Sequence, residues 1–160
     1  MFSTDVLKEY FKRSYFAVDG LWFMKVEDVY GFDKALKIDK SVWEVLPKIQ
    51  ARKVRELLSI SGEGIEPLFS ALRLKLEAED YRYHMDQKAG VIEITDCPWI
   101  RLLEKSGRGH LKKEIGGVIC STEFSAWGRE FNVEGFSLDG RGCLDGGHCR
   151  LLFSLKKEID

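Results

Sequence analysis

The first 96 of the 160 residues contain no cysteine, and the chain has almost no net charge: 25 Lys and Arg stand against 26 Asp and Glu, a formal −1. That balance excludes a global field drawing the protein onto nucleic acid or an anionic membrane. Long apolar runs are missing too, because charged residues interrupt every one before it reaches the length of a membrane span. The segment Met1-Phe2-Ser3-Thr4-Asp5 has neither the basic region nor the long apolar stretch of a signal peptide. The expected location is therefore cytoplasmic. There thiols stay reduced, so Cys97, Cys120, Cys143 and Cys149 read as metal ligands, buried hydrophobes or catalytic thiols before they read as disulfides. A disulfide between Cys143 and Cys149 is the weaker alternative. No internal repeat or low-complexity segment occurs, and there is no Ser-His-Asp order, phosphate loop or H-E-x-x-H motif.

What is present is a globular balance of 44% hydrophobic, 12% aromatic and 32% charged residues, enough for one core in a single domain spanning 1–160. Residues 1–78 read as helical. Ser3 or Thr4 caps a long first helix along which Leu7, Phe11, Tyr15, Val18, Trp22, Val26 and Val29 form one apolar stripe, with Gly31 as its stop. A second helix begins near Phe32-Asp33. Pro47 lies inside it and predicts either a kink or two helices meeting end to end. Ser61-Gly62-Glu63-Gly64 is a break, and Ile65 to Ala78 forms the next helix.

Residues 79–160 change period. Tyr81, Tyr83 and Met85 alternate with polar residues, Ala89-Gly90 fits a hairpin turn, and Val91 to Thr95 fits the returning strand. A short helix is expected over Trp99–Lys105 and a longer one over Ile115–Phe131, where Cys120, Phe124 and Trp127 share a face. Strands are expected over Val133–Leu138 and Cys149–Leu155. Helices first and strands afterwards predict an α+β fold with N-terminal helices packed with an antiparallel sheet.

All four cysteines sit at junctions in this second part. Cys143-x5-Cys149 encloses Asp145, Gly146, Gly147 and His148, a Gly-rich stretch that can bring two thiolates toward one point. Cys120, on a helix, can supply a third donor. Thiolates and imidazole suit Zn²⁺, which takes four such donors in a tetrahedron. The spacing is not the paired C-x2-C of a zinc ribbon, and several of these cysteines can equally be small buried hydrophobes.

The run Cys143-Leu-Asp-Gly-Gly-His-Cys149-Arg-Leu-Leu-Phe153 resembles the closing motif of 4-vinyl reductase-like domains. These share an α+β fold with vesicle-tethering subunits and heme-type nitric oxide sensors. In members that sense aromatic compounds, an upstream Cys, the two motif cysteines and an acidic residue hold zinc. The resemblance implies thiolate roles for Cys120, Cys143 and Cys149. Gly140 stands where the acidic ligand is expected, so Cys97, Asp139 or His148 would have to replace it. A second resemblance covers nearly the whole chain. Gly20-Leu21-Trp22-Phe23, Glu27, Gly31-Phe32, Ala35-Leu36, Asp39, Val42-Trp43, Asp96-Cys97-Pro98-Trp99 and Glu123-Phe124-x-x-Trp127 resemble a family related to L-2-amino-thiazoline-4-carboxylate hydrolases.

With that resemblance, the helical part offers a candidate ligand pocket. Trp22 and Trp43 would be its walls, and Glu27 and Asp39 its polar anchors. Set against this, a Trp on an apolar helix face is more often core, and Glu27 and Asp39 are more often solvated or paired with a nearby lysine. Three functional readings follow. The first is a small-molecule-binding domain with a structural zinc site. The second is a hydrolase of a small cyclic amidine or amide. The third is a protein-interaction module, with a homodimer as its self-associating form. Three thiolates donate so much charge that their zinc is a poor Lewis acid, which favours the structural role.

Overall fold

The computed structural model describes residues 1–139 and 148–155, so Cys143 and most of the Gly-rich loop lie outside the described residues. The elements in chain order are α1 (Thr4–Tyr30), α2 (Phe32–Trp43), α3 (Leu46–Leu57), α4 (Ile65–Ala78), β1 (Arg82–Asp86), β2 (Val91–Asp96), α5 (Pro98–Lys105), a single 3-10 turn (Gly109–Leu111), α6 (Lys112–Arg129), β3 (Gly135–Leu138) and β4 (Cys149–Ser154). The four strands form one antiparallel sheet in the order β1-β2-β4-β3, so the expected α+β class is found. The chain falls into two compact units, Met1–Ser41 and Val42–Asp160.

In the first unit, α1 begins where the Ser3 hydroxyl accepts from the Val6 N–H at 3.4 Å. It ends at Gly31, whose φ of 85° suits glycine and whose N–H donates to the Glu27 carbonyl. Of the expected stripe, Leu7, Phe11, Val18, Trp22 and Val29 are exposed and Tyr15 and Val26 half-buried, while the buried residue of α1 is Phe23. One residue along a helix turns about 100°, so Phe23 lies off the stripe. Its ring meets Phe32 edge-on at 5.9 Å between centroids.

The second unit holds the main core. Helix α3 starts at Leu46, after α2 has ended at Trp43, with Pro47 in its first turn, where a missing N–H costs no intrahelical bond. On α4, Leu68, Phe69, Ala71, Leu72 and Leu76 are all buried. The period of two along the strands sends Ile92, Ile94, Leu151 and Phe153 to the same interior, while Glu93 and Arg150, opposite one another, pair outside at 3.2 Å. Phe124, Trp127 and Phe131, from α6 and the turn after it, close the core from above, and Phe69, Phe124 and Phe136 each lie within 6.5 Å of the Phe153 ring.

Two glycines are fixed by close backbone approach. A Cβ on Gly90, in the β1–β2 turn, would stand 2.3 Å from the Phe153 carbonyl oxygen. A Cβ on Gly128 would stand 2.5 Å from that of Val133. The same turn explains why β3 starts later than its sequence pattern suggests. Asn132 takes φ 57°, and the Val133 N–H donates to the Gly128 carbonyl, closing the end of α6 instead of joining a ladder. Among the described residues, no helix is long and apolar enough to cross a membrane.

Candidate functional site

The unusual feature of the second unit is charge inside its core. Lys75 lies on the apolar face of α4, one helical turn beyond Leu72 and 4% exposed. Its ammonium meets Glu79 Oε2 at 2.8 Å and Glu123 Oε1, from α6, at 2.8 Å. Both carboxylates are buried as well. A charge taken out of water must be paired, and here one cation serves two anions. The surroundings are aromatic: the Lys75 ammonium lies 5.4 Å from the Tyr81 ring centroid and 5.7 Å from that of Phe124. The Trp99 indole N–H donates to Glu79 Oε2 at 3.4 Å, and Trp43 packs edge-on against Trp99 at 5.8 Å.

Two thiols adjoin this group. Burial pushes the Tyr81 hydroxyl well above the usual tyrosine range, and negative charge at Cys97, Glu79, Glu123 and Cys120 pushes it the same way. Cys97, at the β2–α5 junction, and Cys120, on α6, therefore lie near one buried phenol. Cys149 opens β4 directly opposite Ile94 on β2 and shares the core-facing side of that pair, three residues before β2 runs on to Cys97. All three are half-buried thiols packed against the core. Among the described residues, no three of His, Cys, Asp or Glu are gathered as a group that holds a metal ion. Cys143 lies outside the described residues, and His148 is exposed.

Beside Cys97 the surface opens into a polar groove of about 510 Å³. Its cations are Arg82, Arg101 and Lys112, and its carboxylates are Asp96 and Glu104, with Thr95 and Ile100 completing the wall. Arg101 pairs with Asp96, Arg82 reaches the same carboxylate at 3.9 Å, and Lys112 meets Glu104 at 3.7 Å. Three cations against two carboxylates leave the groove net positive. Cys97 is also the N-cap residue of α5, with Pro98 following, so the end of the helix that favours negative charge faces the same place.

The four residues of the sequence-derived pocket have different surroundings. Trp43 is 2% exposed and lies against Trp99, while Trp22 is 63% exposed on α1. Glu27 and Asp39 are half-buried. Sequence reasoning missed Lys75, Glu79, Tyr81 and Glu123. A signal was available: Lys75 falls in register with Leu68, Leu72 and Leu76, and Glu123 falls between Cys120 and Trp127 on their shared face. A charge inside an apolar helical stripe marks a buried ion.

Residues 3–130 match the model of a family of unknown function (DUF6125), and the chain belongs to that family. The matched residues run from α1 to the end of α6 and include Cys97 and Cys120; β3, β4 and Cys149 lie beyond them. No curated protein and no solved structure matches the chain.

Proposed function

We propose that this member of a family of unknown function binds a small polar molecule, and that a thiolate zinc site braces its sheet beside the binding groove. The observation that supports this is the approach of Cys97 and Cys120 to one buried tyrosine, with Cys149 starting the strand that pairs with β2. In this reading Cys120, Cys143 and Cys149 hold the metal, with Cys97 as the fourth donor. The chemistry of the donor set fits zinc, which prefers soft thiolates. Such a closed site contributes to folding instead of activating water. It would tie the terminal strand to α6 and to the start of α5. The C-terminal likeness to 4-vinyl reductase-like domains supports the same assignment.

The ligand in this reading is small and carries a negative group. The groove has the volume of a small-molecule site, its cations outnumber its carboxylates, and the N-terminus of α5 adds partial positive charge. One observation favours a second reading, hydrolysis of a small cyclic amidine or amide: Cys97 lines the groove, where its thiolate would serve as the nucleophile. The two readings divide on Cys97. As a metal ligand it is lost to chemistry; as a nucleophile it stays reactive while zinc is bound.

Thiol titration of tag-free protein with a chromogenic disulfide tests the proposal. The expected result is slow or absent reaction of all four cysteines until a strong chelator is added, then four reacting thiols. Four fast thiols without chelator would overturn the zinc site. One fast thiol, absent in Cys97→Ser, would replace the first reading by the second.

A further inference from the structure

Helix α1 is apolar on more than one face, which a helix needs only when more than one face is covered. Phe23 is buried against Phe32 within its own unit. Leu7, Phe11, Val18, Trp22 and Val29 are exposed, Trp22 by 63% and Val29 by 70%. At 100° per residue these five positions stay within about 60° of arc, so they form a straight seam over a helix about 40 Å long. Scattered exposed hydrophobics need no explanation, but a continuous seam of this kind marks a contact surface.

We infer that this seam is a homodimer interface, in which α1 pairs with α1 of a second copy in antiparallel orientation. The distribution of charge identifies the occupant. Up to Arg13, the helix carries Lys8, Lys12 and Arg13 against Asp5 and Glu9. From Asp19 on, it carries Asp19, Glu27 and Asp28 against Lys25. One end is net positive and the other net negative, so two copies attract when antiparallel and repel when parallel. The two ends of the seam have the symmetry that such a pair requires. Leu7 and Val29 lie at equal distances either side of Val18 and within about 20° of it around the helix. A two-fold axis at Val18 sets Leu7 of each copy against Val29 of the other.

The test uses the full-length chain in sedimentation velocity. Wild type is expected to be a dimer. The double variant Val18→Glu with Trp22→Glu is expected to be monomeric with unchanged far-UV circular dichroism, its dissociation constant raised more than about a hundredfold by charges forced into an apolar contact. Both positions are exposed, so the variant does not disturb a core. A strict wild-type monomer, whatever else covers the seam, overturns the inference, and so does a dimer that the double variant leaves intact. Orientation is read by oxidising Leu7→Cys mixed with Val29→Cys. A mixed disulfide dimer above the wild-type background supports antiparallel pairing, whereas cross-linking within Leu7→Cys alone overturns it.

Discussion

Helices α1 and α4 treat their apolar residues in opposite ways. Helix α4 has 14 residues and buries six of them, one a lysine; α1 has 27 and buries one. Both show apolar residues at spacings of three and four, so periodicity alone does not separate them. The second unit has a settled interior, and what is distinctive there is the polar group it encloses: Lys75, Glu79, Glu123 and Tyr81, with thiols alongside. In the first unit the distinctive feature is apolar and outside. A function of α4 and α6 is to be sought in what their core holds, and a function of α1 in what covers it.

The strongest way to break this comparison is to remove the buried cation. Lys75→Met leaves Glu79 and Glu123 facing each other without it, and the expected loss is about 3–5 kcal/mol of unfolding free energy in a denaturant titration. A loss below about 1 kcal/mol would mean that the carboxylates do not depend on Lys75. Next come the two tryptophans, which the sequence treated as a pair. Trp43→Ala should cost about 3–5 kcal/mol, because it empties a site packed against Trp99. Trp22→Ala should change the stability of the monomer by no more than about 0.5 kcal/mol, measured at concentrations too low for association. Equal costs would contradict the assignment of one to the core and the other to the surface.

The smallest effect near neutral pH belongs to Tyr81, and it grows in alkali. Its folded pKa is raised from an ordinary value of 10.0, so above that pH the unfolded chain gives up the proton first. Stability is therefore unaffected below about pH 10 and is lost progressively as pH rises beyond it. Tyr81→Phe should blunt the alkaline loss in melting temperature between about pH 10 and 12. Tyr83 is raised as well, by burial and by its bond to Glu77, but it is only half-buried, so Tyr83→Phe should do less. An unchanged alkaline slope in Tyr81→Phe would contradict the buried phenol.

Most of the fold was legible in the sequence because the relevant signals are local. Ser3 and Gly31 bound α1, Pro47 starts α3, the alternation from Tyr81 marks β1, and Ala89-Gly90 turns the hairpin. The errors lie where one residue has two possible uses. Val133 is apolar and looks like strand, yet its N–H closes the turn after α6. Leu7 to Val29 looks like an inward stripe, yet only tertiary packing decides that Phe23 is the buried residue. The candidate site was legible in part. Cysteine spacing pointed to Cys120, Cys143 and Cys149, of which Cys143 lies outside the described residues, but the Lys75 group arises from an approach of α4 to α6 that no spacing encodes, visible beforehand only as a charge out of place in an apolar register.

Metal content of purified, tag-free wild type and Cys120→Ser, measured by elemental analysis with melting temperature on the same samples, tests the central claim most directly. The account predicts about one zinc per wild-type chain, with both zinc and thermal stability lost in the variant. Less than about a tenth of an equivalent in wild type, or a variant that keeps its metal and its melting temperature, would contradict it.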